Sequence, residues 1–401
     1  MKKDVLLIVN YWHFEFEKKS SRYRTMADVL CEGGFDVEVI SSSFRHQNKT
    51  QRDMELIKTI DSPYKMTLLN EPSYKKNISL GRIYSHHCFA KEIVGYLSTR
   101  KKPDIIIVSV PSLSVGSAVT KYAKENDIKL IIDIQDLWPE AFKMAINIPV
   151  VSDILFAPMM MQANKIYSRA DKVMAVSDTY MKRGLSQNKN DTEGLAVFIG
   201  TDSSLVAEAT AGKSVDKPAD KFWVGYIGAL GHSYDIKLVI DALKLLKDKG
   251  INNITFKIMG EGVLMDEFRQ YAESSGVDCE FSGFIEYGDM MTTLGACDVA
   301  VNPIVGKSVS SIINKVSDYA MAGVPVINTQ NSPEYRNLID TYNCGINCES
   351  GNAQSVAEAI ESLYNDEQLK KSMGENSLRL GKEKFDRTVT YKSIINLIEG
   401  M

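Results

Sequence analysis

Short runs of β-branched and apolar residues recur along the chain, each followed by a turn and then by a stretch with apolar positions every three or four residues. A parallel sheet with crossover helices requires this alternation. In the first half, Val5–Val9, Val37–Ile40, Ile105–Val108, Leu130–Ile134 and Val173–Val176 predict strands, with helices at Ser21–Gly33 and Ser114–Asn126. From about Ser43 to Asn77 the residues are mostly polar and follow no clean period, which predicts a long excursion outside the sheet. Glu208–Lys221, rich in Ala, Gly, Lys, Asp and Pro, predicts a linker. The alternation then restarts at Trp223–Ile227, Thr255–Met259, Cys279–Phe281, Val299–Asn302 and Val324–Asn328, with helices at Ile236–Lys249, Val263–Ser275, Asp289–Leu294 and near Asn314–Met321. Crossovers in such sheets are right-handed almost without exception, so the economical α/β architecture is two doubly wound Rossmann-like domains facing each other. They are expected at residues 1–205 and 206–383, with a last segment, 384–401, whose apolar positions suit a helix crossing back to the first domain.

Composition narrows the classes. Of 401 residues 44% are apolar, and 47 Lys and Arg face 51 Asp and Glu, which excludes disorder and fibrous repeats and leaves each domain a core of its own. The first apolar run is too short for a signal peptide and none reaches the roughly 18–20 residues of a membrane span, so a cytoplasmic protein is expected. Six scattered cysteines then predict free thiols, and five histidines without zinc spacing predict no structural metal. Residues 1–205 carry 28 Lys and Arg against 24 acids, and the remainder 19 against 27. That mildly basic first half suits the inner face of the cytoplasmic membrane or a phosphorylated acceptor, although a plain solvated surface explains it too. No basic run with interleaved aromatics points to nucleic acid. Ile154–Met161 is expected to be buried rather than to touch lipid, and His86 and His87 to lie on a helix surface.

Candidate chemistry sits in the loops after the strands, where open α/β sheets bind ligands. Three glycine-rich turns follow strands of the second domain: Gly225 to His232 with Gly228 and Gly231, Met259 to Gly262 with Gly260, and Gly283 with Phe284. Glycine admits close backbone approach, and free N–H groups opening a helix attract an anion, so a phosphorylated ligand is expected. His232, next to Gly231, is placed either to donate to a phosphate or to cap a turn. In the segment Asn302 to Ile327, Lys315 falls in the first turn of a helix where its ammonium reaches a phosphate. Asp318 falls one turn later, suited to ribose hydroxyls or to a plain surface pair with Lys315. In the first domain Asp136 follows the fourth strand, either orienting an acceptor hydroxyl or capping a helix Leu137–Ala145, and Glu140 faces the cleft or that helix's dipole. Glu15 and Arg22 border the loop after the first strand, either as acceptor contacts or as plain surface groups, the second being the expectation.

The segment Asn314-Lys315-Val-Ser-Asp318-Tyr-Ala-Met-Ala-Gly323-Val-Pro325 resembles the nucleotide-sugar motif of the family 4 retaining glycosyltransferases. Ile258 to Gly262, Gly283-Phe284, Asp298 to Asn302 and Ala170 to Ser177 match as well, and Asp133 to Glu140 is similar to a stretch of members that build bacterial surface polysaccharides. The resemblance implies the two-Rossmann GT-B fold and transfer from a nucleoside diphosphate sugar, taken as uridine-linked, to a glycan or lipid-linked oligosaccharide. Neither domain shows a DxD in a suitable loop, so no metal is expected, and no cofactor. Lys315 would ease departure of the diphosphate, helped by Ser310, Ser311 and Asn314, with Asp136 and Glu140 as catalytic candidates. The family's paired acids fall here on Ser310 and Asp318, and its diphosphate-binding Arg and Lys fall on or near Ala229 and Tyr234. These departures keep two other readings open: a non-hydrolysing sugar-nucleotide epimerase and a sugar-nucleotide-binding scaffold subunit.

Overall fold

The computed structural model describes residues 2–17, 21–57, 59–77, 79–141, 151–306 and 312–401. The chain forms two compact units, one of residues Met1–Phe198 with Tyr391–Met401 and the other of Ile199–Thr390.

In the first unit the strands are β1 (Asp4–Ile8), β2 (Asp36–Ser42), β3 (Phe44–Arg45), β4 (Thr50–Gln51), β5 (Lys65–Leu69), β6 (Ile105–Ser109), β7 (Lys129–Ile134), β8 (Lys172–Ala175) and β9 (Leu195–Ala196). All but β3 and β4, which pair as a small hairpin, form one parallel sheet in the order β5-β2-β1-β6-β7-β8-β9. Central strands such as β1 and β6 are buried along their length, as sheets covered by helices on both faces require. The excursion after β2 is not strand-free, because Lys65–Leu69 forms the edge of the sheet. Half-exposed and carrying Lys65 and Thr67, it lacks the apolar run of an interior strand. The final helix, Lys392–Glu399, packs on the helix Arg22–Glu32, burying Tyr391, Ile394 and Ile398 in the core of this unit.

The second unit holds β10 (Phe222–Ile227), β11 (Ile254–Met259), β12 (Cys279–Gly283), β13 (Val299–Asn302), β14 (Val326–Asn328) and β15 (Gly345–Asn347). They form a parallel sheet in the order β12-β11-β10-β13-β14-β15. The unit begins at Ile199 rather than 206 and runs to Thr390 rather than 383, because the two joining segments pair with each other. Thr201 N–H donates to the Phe385 carbonyl (2.8 Å), Arg387 N–H to the Thr201 carbonyl (3.1 Å), and the Arg387 guanidinium to the carbonyls of Ile199 (2.6 Å) and Gly200 (2.7 Å). Nor is Glu208–Lys221 a free linker. It starts inside the helix Ser203–Thr210, and Lys213 and Lys217 tie it to Asp289 (2.6 Å) and Asp298 (2.5 Å).

All six cysteines are free thiols. His86 is buried, whereas His87 is exposed. Ile154, Leu155 and Met161 stand largely exposed on the helix Val151–Tyr167, contrary to the expected burial of that stretch. Among the described residues no helix is long and apolar enough to cross a membrane, and no group of three or more His, Cys, Asp or Glu could hold a metal ion.

Candidate active site

The second unit gathers its conspicuous groups at the carboxyl ends of β10, β11 and β13, as parallel sheets do. The chain leaves β10 at Gly228, whose φ of +120° suits glycine. A Cβ on Gly228 would lie 2.6 Å from Lys315 Nζ, so the absence of a side chain is what lets the ammonium approach. Gly260 and Gly262 serve a neighbouring purpose. A Cβ on either would overlap the Gly228 or Leu230 carbonyl, and the Gly228 and Leu230 N–H groups donate to Met259 (2.9 Å) and Glu261 (2.8 Å). The two loops are thus zipped together, and these glycines serve loop-to-loop packing.

Lys315 opens the helix Lys315–Met321 and is only 9% exposed. Its ammonium donates to the Tyr226 hydroxyl (3.0 Å) and lies 3.7 Å from the centre of the Tyr234 ring and 4.2 Å from that of Tyr226. None of these partners is a carboxylate, and burial pulls the ammonium's pKa down to about 7. A buried cation held by phenol and ring faces can take an anionic ligand without first breaking an ion pair.

Asp318 does not pair with Lys315. Its Oδ1 accepts from Thr201 Oγ1 and from the Tyr287 hydroxyl (both 2.9 Å), and burial raises its pKa against those bonds. Asn314 is exposed at the cap position without a side-chain capping bond, and His232, Gly231 and Phe284 lie on loop surfaces, with His232 and Phe284 exposed. Gly283 (φ +68°) bridges to Gly260, and Glu261 Oε1 accepts from the Phe284 N–H (3.1 Å). Ser310 and Ser311 lie outside the described residues.

Sequence reasoning missed the two tyrosines that cradle Lys315 and a buried amide ladder beside them. Asn302 Nδ2 donates to Asn328 Oδ1 (2.9 Å), and Asn328 Nδ2 to Asn347 Oδ1 (2.9 Å), across the ends of β13, β14 and β15. Three asparagines closing three successive strands were a legible signal for it.

In the first unit Asp136 is exposed in the loop after β7. It does not cap the helix expected from Leu137: the cis Trp138–Pro139 bond intervenes and the helix starts at Glu140, its expected later part falling outside the described residues. Glu140 accepts from Arg183 Nε (2.6 Å), and that guanidinium also bonds Asn164 and lies over the Tyr167 ring. This pairing anchors Glu140 in the framework and argues against a catalytic task. Arg22 is not accessible to an acceptor either. It is buried, donates to Asp133 Oδ2 (2.6 Å) and the Tyr391 hydroxyl (3.0 Å), and sits between the Tyr23 and Tyr391 rings. Glu15 opens the short turn Glu15–Glu17, and its side chain lies outside the described atoms.

Residues 209–379, within the second unit, match the family model of group 1 glycosyl transferases. The chain is 24% identical over 218 residues to an uncharacterized glycosyltransferase of Methanocaldococcus jannaschii, an alignment covering 54% of this chain and 56% of that one. Its whole length also superposes on solved structures. HepE of Anabaena in complex with UDP matches with a TM-score of 0.69 at 15% identity, covering 100% of both chains. Sucrose-phosphate synthase of Thermosynechococcus elongatus matches with 0.69 at 15% identity, covering 100% of this chain and 99% of that one. The fold is therefore that of GT-B glycosyltransferases, two Rossmann-like domains.

Proposed function

We propose that the chain is a retaining glycosyltransferase that moves a hexosyl or N-acetylhexosaminyl group from a nucleoside diphosphate sugar to a glycan or lipid-linked oligosaccharide. Uridine is the base we assign, supported by the UDP bound to the similar HepE structure. The setting we assign is synthesis of a bacterial capsule, O-antigen or exopolysaccharide. One observation carries the reading: a buried ammonium, Lys315, held by tyrosines beside a glycine-lined strand end, within a segment that matches the glycosyltransferase model.

Breaking the anomeric C–O bond leaves positive charge on the sugar and negative charge on the departing diphosphate. A preorganised cation stabilises that leaving group more in the transition state than in the bound substrate. The acceptor hydroxyl attacks the face the diphosphate leaves and passes its proton to the departing phosphate oxygen, so the step needs no protein base and no metal. Asp136 stands at the strand ends of the first unit as the residue that orients the acceptor hydroxyl. The exposed Ile154, Leu155 and Met161 support peripheral contact with the inner face of the cytoplasmic membrane.

The test is UDP release from a panel of UDP-sugars, with and without lipid-linked oligosaccharide and in excess chelator. Transfer predicts release that requires acceptor, survives chelation and falls at least about 100-fold in Lys315→Met. Sugar interconversion without acceptor would mean an epimerase, and donor binding without turnover would mean a scaffold. Undiminished turnover in Lys315→Met would refute the role given to that lysine.

A further inference from the structure

We propose that the first unit has a binding site of its own for a phosphate-bearing saccharide, formed by Asn10, Tyr11, Lys49, Arg82, His86 and Trp138. It deepens the transferase reading, on which its role as the acceptor's site rests. These residues come from the segments that follow β1, β2, β5 and β7, so all belong to the carboxyl edge of one sheet.

Two cations meet there. Arg82 donates through Nη2 to the Tyr11 hydroxyl (2.7 Å) and through Nη1 to the Asn77 carbonyl (2.9 Å), and its guanidinium lies 4.7 Å from the centre of the Trp138 ring. Lys49 donates to Asn77 Oδ1 (2.6 Å) and the His46 carbonyl (2.6 Å). Asn77 therefore draws both charges to one place, and none of these partners is a carboxylate. The contrast within the unit is sharp, because Arg22, Arg52 and Arg100 all bind Asp or Glu directly. The acids whose field reaches Arg82 are Glu71, which accepts from Ser85 Oγ (2.8 Å), and the exposed Asp136. Arg82 Nε is itself buried without a protein partner.

The walls suit a sugar. His86 and Trp138 lie nearly parallel, 18° apart with centres 6.2 Å apart, and Tyr11 packs on His46 at 4.6 Å. Asn10, 2% exposed and two residues beyond the end of β1, has no protein partner for either amide atom, a donor and an acceptor suited to sugar hydroxyls. Two cations drawn together by one asparagine match a compact polyanion, and a guanidinium fork matches phosphate oxygens.

Calorimetry on the full chain with α-D-glucose 1-phosphate, inorganic phosphate, methyl α-D-glucoside and D-glucuronate tests this. Glucose 1-phosphate should bind tightest and lose at least about tenfold in affinity in Arg82→Met and in Lys49→Met, while Lys121→Met, at an exposed lysine paired with Glu125, leaves it unchanged. If Arg82→Met fails to fold, Lys49→Met decides. Unchanged binding in both variants, an equal loss in Lys121→Met, or tighter binding of glucuronate would overturn the site. If transfer is absent but this pattern holds, the transferase reading falls and the site stands. If transfer is present without the pattern, the site falls alone.

Discussion

Lys315 places function and stability in opposition. Burial lowers its pKa from 10.5 to about 7 in the folded chain, so between about pH 7 and 10.5 the unfolded chain holds the extra proton and stability rises with pH. Below about pH 7 the full cost of the buried charge is present. Lys315→Met, which keeps the bulk and removes the charge, should therefore raise the melting temperature at pH 6, with the gain fading toward pH 10; scanning calorimetry at both values checks it. Donor binding carries the same signature. A bound diphosphate favours the protonated amine, so the donor dissociation constant should be flat below about pH 7 and rise about tenfold per unit above it. A profile flat to pH 9 would place the diphosphate elsewhere. The lysine was legible in the sequence because its motif and its place at a helix start were both visible. Tyr226 and Tyr234 were not, because only the fold brings a residue of β10 and one of the loop after it over the same nitrogen.

At the scale of elements, the three glycine-rich turns looked like three ligand contacts, whereas the structure divides their duties. Gly228 clears space for Lys315, and Gly260 and Gly262 let two loops share backbone hydrogen bonds. Gly228→Ala should thus displace the ammonium and lower turnover by at least about tenfold, at a stability cost of about 1–3 kcal/mol from the strained φ. Turnover assays with a denaturation curve separate the two effects. Strands buried on both faces were readable because their apolar runs are continuous, whereas the edge strand β5 was hidden by its own exposure. His86 was misplaced on the surface for a related reason: two adjacent histidines on a helix face different ways, and only contacts with the loops after β1 and β7 decide which is inside.

For the molecule as a whole, the division into two sheets followed from the repeated alternation, but the crossing points did not. They are fixed by Arg387 and Thr201, polar residues whose backbone bonds no periodicity reveals. The last helix belongs to the first unit, and Ile394 is fully buried there. Ile394→Ala should cost that unit about 2–5 kcal/mol, seen as faster hydrogen exchange in β1 and β2 with β10 and β11 unaffected. Equal loosening of both sheets would show that they unfold as one. The same closing segment bears on how a cell makes this protein. Translation delivers the amino-terminal sheet first, yet Tyr391, Ile394 and Ile398, which seal one of its faces, leave the ribosome only after the whole carboxyl-terminal sheet has emerged. The half synthesised earliest is therefore the half completed last, and during that interval its unsealed face is the surface for chaperones to guard.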